Sequence, residues 1–248
     1  MKYKQLLTGA ALGVAVLASP AASAGQLTGN VSVVSDYMFR GIEQSGGAAV
    51  QGGVDYTLDL GIYTGLWVSS AAISGGNEAD IYAGYALKIG DFDLTAGAIY
   101  YLYSEDTQFE APPPSGARDI DYYEGFLGAG FGPVAVKAFY TPEYGLDLQE
   151  DEALYASATV KLDLTDTLSF TPQVGFSAGD GIKNTWGDEY LDYSITATKK
   201  VGPIKDDLSV SLSVIDTDLD IAPSAATAGI GFRDDPKFVI GLRKGFKI

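Results

Sequence analysis

Apolar and polar residues alternate with a period of two along most of this chain, and no other feature constrains the fold so strongly. In the segment 208–214, Leu208, Val210, Leu212 and Val214 alternate with serines. Successive side chains of a β-strand point to opposite faces, so the pattern predicts strands with one apolar face. Twelve strands of about ten residues are predicted. Their estimated bounds are 27–39, 48–58, 61–71, 79–89, 92–103, 120–131, 134–141, 152–163, 167–178, 189–200, 206–216 and 236–247.

The connections between these strands alternate between short and long. The short ones are 59–60, 90–91, 132–133, 164–166 and 201–205, and the longer ones run through 43–46, 74–77, 105–118, 142–151, 179–188 and 217–235. Bacterial outer-membrane barrels have an even number of antiparallel strands with short periplasmic turns and long external loops. The sequence therefore predicts an all-β transmembrane antiparallel barrel. A soluble periplasmic all-β protein is the alternative, but it has no reason to sort its loops by length.

The first 24 residues have the composition of an export signal. Lys2 and Lys4 precede an apolar run at 6–17, and small residues follow at 22–24. These are the three parts of a cleaved secretory signal peptide. The run is too short for a membrane-spanning helix. We expect cleavage before Gly25, so that residues 25–248 form the barrel in the outer membrane of a Gram-negative bacterium.

Composition excludes most catalytic and nucleic-acid functions. The chain has no Cys and no His, and its net charge is −16. It therefore has no disulfide, no Ser-His-Asp triad and no ordinary zinc site. Acidic surface also opposes phosphate binding. The segment 216–220 (DTDLD) begins like a calcium loop, but Ile221 and Thr227 stand where that motif requires Gly and Glu. We expect neither enzymatic activity, nor a cofactor, nor a nucleic-acid partner.

Aromatic residues cluster at the predicted strand ends. Near the long connections they are Tyr37, Phe39, Tyr101, Tyr103, Tyr122, Tyr123, Phe139, Tyr140, Tyr155, Tyr190 and Tyr193, and near the short turns they are Phe92, Phe131 and Phe246. Barrels in the outer membrane carry aromatic girdles at both interfaces, so two belts are predicted. The alternative is that individual members are ordinary core residues.

Three blocks near the start of the chain resemble a known family. They are 35–45 (SDYMFRGIEQS), 50–56 (VQGGVDY) and 61–69 (GIYTGLWVS). In order and spacing they are similar to the opening strands of the TorF family of porins. The resemblance implies an outer-membrane β-barrel and says little about the solute. One departure concerns the last strand, which ends on Lys247 and Ile248 after Phe246 rather than on the aromatic residue that insertion machinery recognises.

Residues that alternate with the apolar face should line the lumen. The charged members of this set are Asp36, Arg40, Asp55, Glu124, Lys137, Asp192 and Arg243. They either form a constriction that sorts solutes by charge or pair with one another to fill the barrel. A second group, Glu143, Asp147, Glu150, Asp151 and Glu152, should form an acidic vestibule in one long loop. Such a vestibule attracts cations.

These patterns predict a passive channel for small hydrophilic solutes with a preference for cations. The alternative is a non-conducting barrel that acts in structure or surface interactions through its external loops. Twelve strands do not decide between the two, because about eight leave a filled interior and about sixteen leave an aqueous channel. The expected partners are outer-membrane lipid, the solutes, the insertion machinery and, as in many porins, further copies of the chain.

Overall fold

In a computed structural model of the chain, residues 25–73, 75–104, 120–146, 149–202, 207–220 and 235–248 are described. The expected signal peptide, residues 1–24, lies outside these residues, as do most of the connections 105–118 and 217–235. Within the described part, no helix is both long and apolar enough to cross a bilayer.

Twelve long strands form the wall of a barrel. They are β1 (Gln26–Val34), β2 (Ala49–Thr57), β3 (Ile62–Ser69), β4 (Glu78–Ile89), β5 (Phe92–Tyr103), β6 (Tyr122–Phe131), β7 (Val134–Thr141), β8 (Ala153–Val160), β9 (Leu168–Ala178), β10 (Tyr190–Lys200), β11 (Leu208–Thr217) and β12 (Lys237–Lys247). The two-residue segment Leu162–Asp163 also pairs with β9, beyond the end of β8.

Antiparallel pairing closes the ring. Each strand pairs with its neighbours in sequence, and β1 also pairs with β12 from Thr28–Lys247 to Val34–Gly241. Closure leaves no sheet edge with unpaired backbone groups, which is the condition for a sheet in lipid. The predicted twelve-stranded barrel is thus confirmed, and the strands 92–103 and 134–141 have the predicted bounds.

The outward face of the barrel is apolar, and the inward face is more polar. Alternate residues of nearly every strand are exposed Val, Leu and Ile side chains. Examples are Val33, Leu66, Ile81, Leu127, Val136, Ile195, Leu212 and Ile240. At the short-turn end, Phe92 and Phe131 are exposed on neighbouring strands with ring centroids 5.0 Å apart, as an interfacial belt requires.

The aromatic prediction was wrong for most of the residues at the long-loop end. Tyr123, Tyr140 and Tyr193 face outward. In contrast, Tyr37, Tyr101, Tyr122, Tyr155 and Tyr190 are buried inside the barrel. Tyr101 stacks on Tyr122 at 4.7 Å between ring centroids. In the adjacent pairs Tyr122–Tyr123 and Phe139–Tyr140 one ring points inward and the other outward, because adjacent residues of a strand occupy opposite faces. Tyr101 and Tyr103 share one parity, and both lie on the inward side. The interior near the long loops is consequently filled by an aromatic core.

One short helix, α1 (Asp180–Trp186), lies in the connection between β9 and β10 and was not predicted. Gly187 ends it in the left-handed conformation, where a glycine is favoured. The Trp186 indole donates a hydrogen bond to the Tyr144 hydroxyl at 3.4 Å, which ties α1 to the aromatic core. On its exposed side, a hydrogen bond to Glu189 raises the pKa of Lys183, and the same bond lowers the pKa of Glu189.

Candidate functional site in the barrel interior

The first long connection, residues 35–48, folds into the barrel and is called here the inner hairpin. The predicted first strand, 27–39, instead ends at Val34. Residues Met38–Phe39 pair with Ile42–Glu43, and the two residues between them, Arg40 and Gly41, both have positive φ angles of 49° and 79°. Two-residue hairpin turns of this hand suit Gly, whereas an Arg in the left-handed region costs about 1–2 kcal/mol. Contacts of the Arg40 side chain must offset that cost.

Apolar side chains explain why the inner hairpin turns inward. Tyr37, Met38 and Ile42 are all buried. The Tyr37 ring lies 5.5 Å from the Trp67 ring of β3. The Tyr37 N–H donates to Ser45 Oγ at 2.8 Å, which closes the base of the hairpin. The segment therefore forms a small folded unit with its own hydrogen bonds inside the barrel.

Arg40 reaches Glu124 on the inward face of β6. The guanidinium donates two hydrogen bonds to the two carboxylate oxygens, at 2.8 and 2.6 Å. The Tyr101 hydroxyl donates a third to the same carboxylate at 2.9 Å. The side chains of Arg40 and Glu124 are only 9% and 1% exposed. This geometry is the bidentate form that gives strong charge-assisted bonds.

Aromatic rings surround the Arg40 guanidinium. Its central carbon lies 4.7 Å from the Phe39 ring centroid, 5.1 Å from that of Phe139 and 4.4 Å from that of Tyr155. Each distance is within the range of a cation–π interaction. The rings come from the hairpin, β7 and β8, so the cation is held by three separate elements.

Asp192 lies beside this group on β10. The Tyr155 hydroxyl donates to Asp192 Oδ1 at 3.4 Å. Within the described part of the chain, Asp192 Oδ2 is buried without a hydrogen-bond partner. A Cβ at Gly41 would lie 2.8 Å from the Asp192 Cβ, so only glycine allows the hairpin tip to approach β10 so closely.

A second ion pair holds the inner hairpin to the opposite wall. Glu43, which is buried, binds the ammonium of Lys237 on β12. In the twelve-stranded ring, β12 and β6 are six strands apart. Because the two ion pairs reach opposite sides, the hairpin spans the interior of the barrel.

The remaining predicted lumen residues are dispersed. Asp55 accepts a hydrogen bond from the Tyr82 hydroxyl. Lys137 is half-buried on the inward side of β7, and Arg243 lies 3.7 Å from Asp207 near the short-turn end of β12. Asp36, expected on the first strand, lies instead in the bend that follows it. The structure therefore brings Arg40, Glu124 and Asp192 together and leaves the other four apart.

Two buried acidic residues of the barrel wall were missed from the sequence. Glu78 and Asp80, on the inward face of β4, are 3% and 2% exposed. Glu78 Oε2 and Asp80 Oδ1 have no hydrogen-bond partner among the described residues. The sequence did contain a signal for them. Glu78 and Asp80 alternate with the exposed Ile81, so they lie on the same inward face of the strand as Tyr82. In the described part of the chain, no group of three or more His, Cys, Asp or Glu side chains is arranged to hold a metal ion.

Hydroxyl groups line the wall formed by β9 to β11. Thr196 and Ser213 share a hydrogen bond at 2.8 Å, and Ser169 and Ser194 have the same inward parity on their strands. The other inward hydroxyls of this wall are Thr171, Ser177, Thr198, Ser209, Ser211 and Thr217. These three of the twelve strands therefore present small groups that both donate and accept hydrogen bonds to the lumen.

The predicted acidic vestibule lies in the connection between β7 and β8. Glu143, Glu150 and Glu152 are exposed, and Asp147 lies outside the described residues. Asp151 is half-buried and accepts a hydrogen bond from the Asn184 amide at 3.0 Å. These residues lie at the long-loop end, on the same side of the barrel as α1 and the inner hairpin.

Comparison with known families assigns the chain to a family, but the description of that family names no function. A family model described as "Bacterial protein of unknown function (Gcw_chp)" matches residues 18–246. The chain therefore belongs to this family. The matched family does not carry the TorF name that the motif resemblance suggested. No curated protein matches the chain in sequence.

The barrel is similar to solved porin structures. The NanC porin superposes with a TM-score of 0.52 at 11% identity, covering 88% of this chain and 97% of that one. The KdgM porin superposes with a TM-score of 0.52 at 10% identity, covering 89% and 99%. At such low identity the likeness shows a shared fold.

Proposed function

We propose that this protein is a porin-like channel of the bacterial outer membrane that admits small hydrophilic solutes by passive diffusion. The observation that carries the proposal is a closed barrel with an apolar outward face and an interior lined by hydroxyl and charged groups. The apolar outward face suits contact with lipid, and the polar interior suits the passage of polar solutes. The fold shared with the NanC and KdgM porins supports the same function.

The acidic residues at the long-loop end favour cations. In the interior, the carboxylates of Asp55, Glu124 and Asp192 are matched by the cationic groups of Arg40, Lys137 and Arg243, and Glu43 and Lys237 offset each other. In the acidic vestibule, Glu143, Glu150 and Glu152 are exposed. A charged entrance raises the local concentration of the opposite ion.

The inner hairpin sets the size limit. It spans the interior between β6 and β12 at the end where the aromatic core fills the barrel. A solute must pass beside the hairpin or displace it. We therefore expect a small conductance and rejection of bulky solutes.

The test is the reversal potential of single channels in a planar bilayer under a potassium chloride gradient. The proposal predicts discrete steps and a cation-selective reversal potential. The double variant Glu150→Gln/Glu152→Gln, in the exposed acidic vestibule, should reduce that selectivity, whereas Asp163→Asn, at an exposed position near a short turn, should leave it largely unchanged. An anion-selective or unselective channel would contradict the charge assignment.

A non-conducting barrel is the second candidate. The filled aromatic core and the ion-paired hairpin at the long-loop end favour it. In that case the external loops would carry the function through surface interactions. Correctly folded protein that inserts into the bilayer without conductance would support this candidate.

A further inference from the structure

The surroundings of Arg40 form a binding pocket for a planar cation, and the pocket is defined here by Phe39, Phe139, Tyr155, Glu124 and Asp192. We propose that this Arg40 pocket recognises guanidinium groups, and that solutes carrying one compete with Arg40 for Glu124 as they pass the inner hairpin. The recognition part stands on geometry alone, and the passage part rests on the proposed channel function.

The pocket matches the shape of a guanidinium. Two N–H groups meet the two oxygens of Glu124 at 2.8 and 2.6 Å. A compact ammonium has no planar fork and cannot reproduce this pair of parallel bonds. The three rings lie 4.4 to 5.1 Å from the guanidinium carbon, so they contact its faces and edges. The pocket therefore selects its ligand by the two parallel N–H groups of a planar guanidinium as well as by positive charge.

The pocket also carries more negative charge than Arg40 neutralises. Asp192 is buried, lies close enough to Arg40 for a Coulombic interaction, and has one oxygen without a partner in the described part of the chain. Glu124 is already satisfied by Arg40 and Tyr101. A second carboxylate remains for a cationic solute that enters while Arg40 is in place.

Arg40 itself is the competitor that an outside guanidinium must displace. A tethered group acts at an effective concentration in the millimolar range or above. A free guanidinium at low millimolar concentration should therefore bind weakly to the unmodified chain. Removing the side chain in Arg40→Ala leaves Glu124 buried without its cation and vacates the pocket, so this variant gives the clearest measurement.

The experiment is refolding of Arg40→Ala into detergent micelles with low-millimolar guanidinium chloride, tetramethylammonium chloride or sodium chloride. The folded fraction is measured by the heat-dependent gel shift of the barrel. We expect a saturable, several-fold gain in folded protein with guanidinium only. The matched control is Lys237→Met, which breaks the other ion pair of the inner hairpin and should not respond to guanidinium.

The double variant Arg40→Ala/Glu124→Gln removes both charged partners, so it should refold without a ligand and show no guanidinium effect. The proposal is overturned if guanidinium fails to restore Arg40→Ala, if tetramethylammonium restores it equally, or if Lys237→Met responds in the same way. A rescued but electrically silent barrel would refute only the channel function, because recognition is measured without conductance.

Discussion

Replacing Arg40 by Met should destabilise the barrel far more than removing a surface charge. The change leaves the Glu124 carboxylate, 1% exposed, without a cation. Breaking a buried ion pair from one side costs about 3–5 kcal/mol. The Tyr101 hydroxyl still donates to Glu124, which places the expected loss in the free energy of unfolding near the lower end, at about 3 kcal/mol.

The assay is urea-induced unfolding in lipid vesicles, followed by the fluorescence of Trp67 and Trp186. Lys88→Met is the matched control, because Lys88 and Asp93 form an ion pair at 2.9 Å whose side chains are 50% and 40% exposed. Such pairs contribute less than about 1 kcal/mol.

A double-mutant cycle isolates the pair itself. Arg40→Met/Glu124→Gln removes both charges, so it should recover much of the stability lost in the single variant. Our explanation of the Arg40 pocket would be refuted if Arg40→Met lowered the free energy of unfolding no more than Lys88→Met. It would also be refuted if the double variant lost more stability than Arg40→Met and Glu124→Gln together.

Three further outcomes are expected. Leu212→Arg, on the outward face of β11, should cost about 2–4 kcal/mol in vesicle unfolding, while Leu212→Val costs less than about 1.5 kcal/mol; equal costs would show that this face does not meet lipid. Lys137→Met should raise the cation preference of the reversal potential and Asp55→Asn should lower it; no shift in either would remove both from the conduction path. Gly41→Ala forces a Cβ against β10 at a φ of 79° and should cost more than about 1 kcal/mol, whereas Gly46→Ala, with open space around it, should be nearly neutral; similar unfolding curves would contradict the packing of the hairpin tip.

The wall of the barrel was predictable because a single period governs it. Alternation such as that of Val210 and Leu212 with serines specifies both a strand and its lipid-facing side. Short turns such as Gly132-Pro133 indicated where the neighbouring strands end. Closure between β1 and β12 followed from the even number of strands and the sorted loops.

The inner hairpin was not predictable by the same rule. Tyr37 and Phe39 continue the alternation of Val31 and Val33, so period two alone extends the strand through the bend at 35–36. A turn signal was present in Arg40-Gly41. However, nothing in a local pattern tells whether a hairpin lies outside the barrel or within it. That choice depends on partners distant in sequence, above all Glu124.

The prediction that the aromatic residues at the long-loop end face outward failed for a related reason. Tyr122 and Tyr123 occupy one strand end, and their composition does not reveal which of them faces the interior. In the structure, the parity of Glu124 decides, since the carboxylate and Tyr122 share the inward face. The same parity would have revealed Glu78 and Asp80. Charged residues within an apolar alternation are therefore the better guide to the lumen.

The most direct test of the whole account compares single-channel conductance of the unmodified chain with that of a chain whose residues 37–44 are replaced by a flexible Gly/Ser segment. Both proteins are first shown to be folded by the heat-dependent gel shift. We expect cation-selective steps for the unmodified chain and larger steps for the variant, because the inner hairpin narrows the lumen. Equal conductance would contradict the constriction, and two silent barrels would contradict the channel.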